Sequence, residues 1–198
     1  MSQPGKAKRG RPSKMNAQSV LDTAMQAYWS DDPADVSINA ICELAKVSKP
    51  ALYREFGNED GLMAAVLERY AEHVLSDIFD ILAKNMPLPE TLEALVRFAS
   101  DDPKMATGCV FYKMRAGKHR LGPTTRARVQ AIDTGAVDAF AAYLEARRAN
   151  GDWTNSVPTP TAARYLVEQM GLALTQRAAG EDPAQVRETF KLALAAIQ

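Results

Sequence analysis

The chain has 198 residues, of which 46% are hydrophobic and 24% are charged. This composition is ordinary for a soluble globular protein with a real core, organised as one large or two small domains. Because 24 basic residues balance 24 acidic ones, the formal net charge is zero, which excludes a global positive field that would draw the protein to polyanions.

Cysteine usage and hydropathy exclude two further classes of protein. Cys42 and Cys109 are the two cysteines, and each lies in an apolar stretch far from the other, which argues against a disulfide framework or a zinc site. No apolar run approaches the roughly 20 residues that span a bilayer, and no hydrophobic signal segment follows the basic N-terminus. We therefore expect a cytoplasmic protein that does not enter a membrane.

All charged side chains among the first 14 residues are basic. Five basic residues and no acidic one occur among glycine, proline and serine, a pattern typical of a flexible arm. These residues are Lys6, Lys8, Arg9, Arg11 and Lys14. The arm is a candidate DNA contact, and a solvated tail is the alternative.

Nearly every apolar segment after the arm has helical spacing, and no convincing strand alternation occurs, so the predicted fold class is all-α. The first helix is predicted over residues 15–29 and ends at "DDPAD". A second, short helix is predicted after Ser37, which is a good N-cap. Its residues Ile41, Leu44 and Ala45 are predicted to face inward.

The stretch "VSKPALYREF" predicts a third helix with two different faces. Ser48 can cap it, and Pro50 lies in the first turn, where a missing N–H costs little. Leu52 and Phe56 are four residues apart and can bury one stripe. The opposite face carries Lys49, Pro50, Tyr53 and Arg54. Two short helices joined by a tight turn, after one longer helix, form a helix-turn-helix arrangement.

The rest of the chain predicts longer helices. Asn58 can cap a fourth helix whose apolar stripe continues as far as Lys84. "DWTNSVPTP" is rich in turn formers and predicts a loop. Further helices are predicted over residues 91–100, 108–114, 123–150, 161–179 and from 182 to the C-terminus.

Residues 37–68, "SINAICELAKVSKPALYREFGNEDGLMAAVLE", resemble the DNA-binding signature of the TetR family of bacterial transcriptional regulators. The resemblance implies an arm over residues 1–14, a helix-turn-helix DNA-binding domain over 15–60, and an effector-binding and dimerisation domain over 61–198. It also implies that effector binding moves the fourth helix and changes the spacing of two recognition helices.

Three positions depart from the family pattern. Lys46 stands at a turn position where the family usually has glycine, so the turn carries either slight strain or an additional DNA-facing cation. Glu55 lies in the tail of the recognition helix, where the family often has a neutral or basic residue. Glu59 stands where a lysine commonly meets a phosphate, so that contact does not carry over.

The predicted DNA contacts follow from the geometry of an α-helix in the major groove, where residues near the helix N-terminus reach base edges. Lys49 can donate to guanine, Pro50 can contact a thymine methyl group, and Tyr53 can donate to a phosphate. Half-burial of Tyr53 against the first helix is the alternative. The candidate DNA-binding residues are Lys8, Arg9, Arg11, Ser37, Lys46, Ser48, Lys49, Pro50, Ala51, Tyr53 and Arg54.

An apolar effector pocket is predicted in the second domain, because aromatic and sulfur side chains can line a space between helices. Membership of the core is the alternative for each of them. Six basic residues and no acid between Lys113 and Arg128 favour either an anionic effector or, more simply, a solvated basic face. Oxidant sensing by Cys109 is disfavoured because apolar surroundings raise the pKa of a thiol. The candidate pocket residues are Phe98, Met105, Cys109, Phe111, Tyr112, Met114, Tyr143 and Met170.

The last two helices are predicted to hold a homodimer. Both carry apolar stripes, and two such helices from each subunit can form a four-helix bundle, which the family resemblance also implies. Burial of these stripes within the subunit's own core is the alternative. The candidate interface residues are Leu166, Met170, Gly171, Leu174, Val186, Phe190 and Ile197.

Catalysis has little support in the sequence. His73 and His119 are the two histidines and have no cysteine or acidic partner at ligand spacing, and no glycine-rich phosphate loop occurs. We therefore predict no catalytic residue, metal or cofactor. The predicted function is a ligand-responsive repressor whose partners are double-stranded DNA, a second copy of itself and a small-molecule effector. An effector-independent architectural DNA-binding protein is the alternative, and an enzyme ranks third.

Overall fold

A computed structural model describes residues 15–198, and within this range the chain forms ten α-helices and no β-strand. The all-α prediction is confirmed. No helix of the described range is long and apolar enough to cross a bilayer. The helices are α1 (Ala17–Ser30), α2 (Ile38–Ala45), α3 (Lys49–Phe56), α4 (Glu59–Tyr70), α5 (Ser76–Ala83), α6 (Leu88–Asp101), α7 (Val110–Ala116), α8 (Pro123–Ala149), α9 (Thr159–Ala178) and α10 (Pro183–Leu194).

Side-chain caps determine where the first four helices begin. Ser37 accepts a hydrogen bond from the Ala40 amide at 3.1 Å, and Ser48 accepts one from the Ala51 amide at 3.3 Å. Asn58 caps α4 in the same way, at 2.9 Å from the Gly61 amide. Each cap satisfies an amide that lacks a partner within its helix, so these helix starts depend on local sequence.

Helices α4 and α5 form one continuous rod that is interrupted by a π-helical turn, Ala71–Leu75. The single long helix predicted from Asn58 to Lys84 is therefore present, with a change of winding in its middle. Tyr70 before the turn and Val74 and Leu75 within it are all buried. The rod packs on α1 and α8 and so belongs to both halves of the molecule.

Helices α6, α8, α9 and α10 pack together in the C-terminal half. Helices α6 and α9 begin at Leu88 and Thr159, a few residues before the predicted starts at 91 and 161. In both cases a proline lies in the first turn, where it removes no intrahelical hydrogen bond. These two prolines were predicted to lie in loops, and that prediction was wrong.

The short helix α2 corrects a second prediction. Its Ile38 and Ile41 are buried and Ala45 packs against the core, as an inward stripe requires. Leu44 was predicted to face inward but is 60% exposed. A helix of eight residues buries only one narrow side, and Leu44 lies beside that stripe.

Candidate nucleic-acid interface

The outward face of α3 carries polar and cationic side chains on an anchored helix. Leu52 is fully buried and fixes the helix to the domain, while Lys49, Pro50 and Arg54 are exposed. Tyr53 is half-buried and packs against the core, and the Lys49 Nζ lies 5.4 Å from the centroid of its ring. The basic side chains of this face can therefore contact a partner while α3 stays packed on its domain through Leu52.

Three basic side chains of this region take part in none of the ion pairs formed among residues 15–198. They are Lys46, Lys49 and Arg54. Their charge is thus not neutralised by a carboxylate of the described chain. Lys8, Arg9 and Arg11, which were predicted to contact DNA, lie outside the described residues.

Lys46 ends α2 in the left-handed conformation, with φ 55° and ψ 42°. Its amide donates to carbonyls in the last turn of α2, which closes the helix before Val47. A side chain in this conformation costs about 1–2 kcal/mol, which glycine avoids. The sequence-based expectation of strain at this turn therefore has a specific geometric cause.

Replacing Lys46 with glycine is expected to stabilise the fold by about 0.5–1 kcal/mol, since relief of strain outweighs the larger chain entropy of glycine. Urea denaturation of both proteins would measure the difference. Lys46→Gln is the control, because it removes the charge and keeps the left-handed side chain. Equal stability of the glycine variant and the control would contradict the explanation.

Three contacts join the helix-turn-helix to the C-terminal half. The Trp29 Nε1–H donates to the Gly108 carbonyl at 2.8 Å, and the Lys113 Nζ donates to the Trp29 carbonyl at 2.5 Å. Arg120 pairs with Asp32 at 2.9 Å. The end of α1 and the residues after it are therefore held by α7 and by the residues on either side of α7.

Asp60, which the sequence analysis did not single out, makes a fourth contact between the two halves. Its carboxylate accepts hydrogen bonds from the amides of Thr124 and Thr125 at 2.8 and 3.0 Å and from the Thr125 hydroxyl at 2.7 Å. Burial acts to raise the pKa of Asp60, but these hydrogen bonds outweigh it and lower the pKa to about 2. Because its partners lie more than 60 residues away, no local pattern pointed to it.

The predicted effector residues divide into three groups. Cys109 and Tyr112 line a cleft of about 840 Å³ between the end of α1, α7 and α9. Phe111, Tyr112 and Met170 line a small apolar cavity of about 30 Å³. The remaining four line neither space and are buried core residues, which was the alternative for each of them: Phe98, Met105, Met114 and Tyr143.

The cleft has an apolar wall and a polar rim, and it touches both halves of the molecule. Tyr112 and Leu174 contribute to the wall, while Asp31 of the helix-turn-helix half and His119 contribute to the rim. Cys109 at its base is 2% exposed, and burial raises the pKa of its thiol, which agrees with the expectation of low reactivity.

The basic segment between Lys113 and Arg128 does not form a free anion site. Arg115 pairs with Asp133 at 3.0 Å and also with Glu168, and Arg128 pairs with Glu68. Arg120 and Lys113 are engaged at the junction described above. Most of this charge is therefore used in contacts within the subunit.

The residues predicted to form a dimer interface are buried inside the subunit itself. Each apolar side chain among them is at most 3% exposed, so it belongs to the subunit's core and is not on an open surface. They are Leu166, Met170, Leu174, Val186, Phe190 and Ile197. A Cβ added to Gly171 would lie 2.5 Å from the Tyr112 ring, so this glycine serves internal packing too. The choice of these residues is corrected, since helical periodicity alone does not tell an internal partner from an external one.

The outer side of α9 and α10 instead carries a charge-free strip. On both helices uncharged residues recur at i, i+4, i+7 and i+11, which places them on one face. On α9 they are Tyr165, Gln169, Leu172 and Gln176, and on α10 and the turn that follows they are Gln185, Thr189, Leu192 and Ala196. Leu172 and Leu192 are 54% and 77% exposed.

Four of the six charged residues of α9 and α10 form ion pairs with α6, α7 or α8. Arg164 and Glu168 interact on the side of α7 and α8, where Arg164 lies 2.8 Å from Asp133. Arg187 pairs with Asp101 and Lys191 with Glu93, both on α6. The strip is thus an uncharged surface of apolar and polar side chains that is bordered mainly by paired charge, with the exposed Glu188 beside it.

Comparisons of sequence agree with the helix-turn-helix geometry. The family model described as "Bacterial regulatory proteins, tetR family" matches residues 20–66. The HTH-type transcriptional repressor ComR of Escherichia coli is 37% identical over 67 residues, which cover 34% of this chain and 32% of ComR. An uncharacterised HTH-type transcriptional regulator of Mycobacterium tuberculosis is 26% identical over 100 residues. The chain thus spans between a third and a half of the length of the curated relatives it matches.

Comparisons of structure extend over nearly the whole chain and show its fold. Reduced NemR of E. coli has a TM-score of 0.77 at 19% identity, with 92% of this chain and 95% of NemR covered. CifR, a TetR family regulator solved with a 26-base-pair operator, has a TM-score of 0.75 at 16% identity, with coverage of 96% and 100%. Together with the matched segment around α3, these likenesses show that residues 20–66 match the TetR family model and that the chain has the fold of TetR family regulators.

Proposed function

We propose that the protein is a repressor that binds a palindromic operator as a homodimer and releases it when a small-molecule effector binds. The observation that carries this proposal is the outward face of α3, where Lys49 and Arg54 project from a helix that Leu52 anchors. Regulators of the family are DNA-binding transcription factors and not enzymes. In this proposal residues 1–14 are a DNA-contacting arm, 15–60 the DNA-binding domain, and 61–198 the effector and dimerisation domain.

The proposed contacts with DNA separate into two kinds. Lys49, Pro50 and Ala51, at the start of α3, meet base edges in the major groove. Phosphates are met by Tyr53 and by the helix starts at Ser37 and Ser48, with Lys46 and Arg54 adding positive charge. Base contacts determine sequence preference, whereas phosphate contacts hold the domain on the duplex.

Lys49→Ala is expected to weaken operator binding by about 1–3 kcal/mol and to relax the preference for one base. Tyr53→Phe keeps the packing of the ring and removes a phosphate contact, so it should weaken all sequences nearly alike. Selection of binding sites from random duplex DNA, performed with each variant, measures both effects. An unchanged preferred sequence with Lys49→Ala would contradict the assignment of this face.

Binding of wild-type protein without any sequence preference would instead favour an architectural protein.

The homodimer is proposed to form through the charge-free strip of α9 and α10. A two-fold axis brings the same surface of both subunits together, so that Leu172 and Leu192 of each subunit are covered. Two helices from each subunit then form a four-helix bundle. The bundle holds the two α3 helices about 34–36 Å apart, or a multiple of this distance, as consecutive turns of the major groove require.

The proposed effector site is the cleft between α1, α7 and α9. Its volume of about 840 Å³ lies within the range of about 300–1,000 Å³ that is usual for small-molecule sites. Its lining suits a molecule with an apolar body, placed against Tyr112 and Leu174, and a polar group at the rim. Because Ser30 and Asp31 also line the cleft, an occupant contacts the DNA-binding domain directly.

Ala116→Trp is expected to place an indole in the cleft and to lower operator affinity about tenfold, because Ala116 is exposed at its wall. The indole takes the place of a bound ligand, so the test does not require the effector to be known. Gln130→Trp on the exposed side of α8 is the matched control and should leave affinity unchanged. Fluorescence anisotropy with the selected operator measures both, and equal affinities would contradict the proposed site.

A further inference from the structure

We propose that Asp60 is a positioning residue, which fixes α3 in the orientation that operator binding requires by capping the first turn of α8. This inference rests on the proposed DNA-binding function. Three separate features of the structure support it: the missing cap of α8, the close approach of Gly122, and the contact of α4 with the end of α3.

Helix α8 has no cap from its own sequence. Gly122 occupies its N-cap position and supplies no side chain, although the first amides of every helix need acceptors. Asp60 provides the acceptor from α4, through the Thr124 and Thr125 amides. The Thr125 hydroxyl oxygen lies 2.7 Å from the Asp60 carboxylate and 3.0 Å from the Asp60 main-chain carbonyl, so its one proton is shared between these two acceptors. The longest helix of the C-terminal half therefore begins on the DNA-binding domain.

The approach of the two helices depends on the absence of a side chain at position 122. A Cβ added to Gly122 would lie 2.3 Å from the Asp60 Cγ, a distance that real Cβ atoms do not show. Any larger residue would collide with the Asp60 side chain and displace its carboxylate from the first turn of α8. The contact therefore requires glycine at position 122.

On its other side the first turn of α4 contacts the end of α3 just as closely. A Cβ added to Gly61 would lie 2.0 Å from the carbonyl oxygen of Phe56, the last residue of α3. Asn58 also caps α4 through the Gly61 amide. A shift of Asp60 is thus transmitted to α3 within one residue, because no flexible side chain separates them.

The segment that leads into α8 connects this contact to the proposed effector cleft. Gly117, His119 and Arg120 line the cleft, and Gly122 follows two residues after Arg120. An occupant that displaces this segment moves the first turn of α8 away from Asp60. The chain of contacts then runs from the cleft through Asp60 to the helix proposed to bind DNA.

The test is operator affinity of folded, dimeric protein with changes on each side of the contact. Asp60→Ala removes both acceptors and is expected to lower affinity at least tenfold, whereas Asp60→Asn keeps one of the two and should lower affinity less than Asp60→Ala does. Thr125→Val removes the hydroxyl from the opposite side and should also weaken binding. The double variant Asp60→Ala, Thr125→Val should bind no more weakly than Asp60→Ala, because both changes break one contact.

Glu68→Gln is the matched control, since it breaks another contact between α4 and α8, the ion pair with Arg128, and leaves the cap intact. It should bind the operator as wild type does. Wild-type affinity of Asp60→Ala, or additive losses in the double variant, would overturn the inference. If wild-type protein selects no DNA sequence, the proposed function fails instead. Amide exchange of residues 49–56 then decides the positioning role, which requires faster exchange in Asp60→Ala than in Glu68→Gln.

Discussion

Leu192→Glu is expected to convert the protein from a dimer to a folded monomer and to reduce operator affinity by more than a hundredfold. Leu192 is 77% exposed in the subunit, so a carboxylate there is tolerated by the isolated fold. In the proposed dimer it would be buried twice, once from each subunit, without a partner. An unpaired buried charge costs about 3–5 kcal/mol, and 1.4 kcal/mol corresponds to a factor of ten.

Sedimentation measures the subunit association, and circular dichroism shows whether the helices persist. Gln130→Glu introduces the same charge on the exposed side of α8 and should leave both the dimer and operator binding unchanged. If Leu192→Glu remains a dimer at micromolar concentration, the charge-free strip is not the interface.

Gly108→Ala is expected to destabilise the fold by about 3 kcal/mol or more. Gly108 has a φ of +81°, which costs an alanine about 1–2 kcal/mol. A Cβ there would also lie 2.6 Å from the Ala178 Cβ and 3.0 Å from the Leu174 carbonyl, so α9 would have to move. Such overpacking adds about 1–3 kcal/mol. For a chain of this size the melting temperature should fall by about 6–12 °C.

Gly180→Ala separates the two contributions. Gly180 has the same φ of +81°, but nothing lies within 4 Å of the position a Cβ would take. Gly180→Ala should therefore lower stability only by the about 1–2 kcal/mol that a positive φ costs an alanine. Thermal unfolding followed by circular dichroism measures both variants, and equal losses would show that contact with α9 plays no role.

The helix-turn-helix could be predicted from sequence because its signals are local. Ser37, Ser48 and Asn58 cap their own helices three residues away, and Leu52 lies on the apolar stripe that sets the orientation of α3. Such contacts depend on nearest neighbours along the chain, so residue type and spacing are sufficient. The strain at Lys46 was predicted in a different way, from the glycine that the TetR family usually has at this turn.

The rest of the candidate site depends on contacts between distant segments. Phe190 and Leu192 are both apolar residues of α10, and one is 3% and the other 77% exposed. Periodicity identified the stripe that contains Phe190 but did not show that α6 and α9 already cover it. Phe190→Glu would therefore disrupt the core and would not test the interface. Asp60 was missed because its partner helix begins 63 residues later.

The two tryptophans give the protein an internal optical label for the junction between its halves. Trp29 lies edge-on to Tyr70, with ring centroids 5.1 Å apart. Its indole N–H donates a hydrogen bond to the Gly108 carbonyl, beside the cleft. Trp153 lies away from this junction, with its ring under the Arg148 guanidinium. Its indole N–H donates a hydrogen bond to the Ile197 carbonyl. In a Trp153→Phe protein the remaining emission comes from Trp29 alone. Its wavelength and quenching then follow separation of the two halves in real time, without an attached dye.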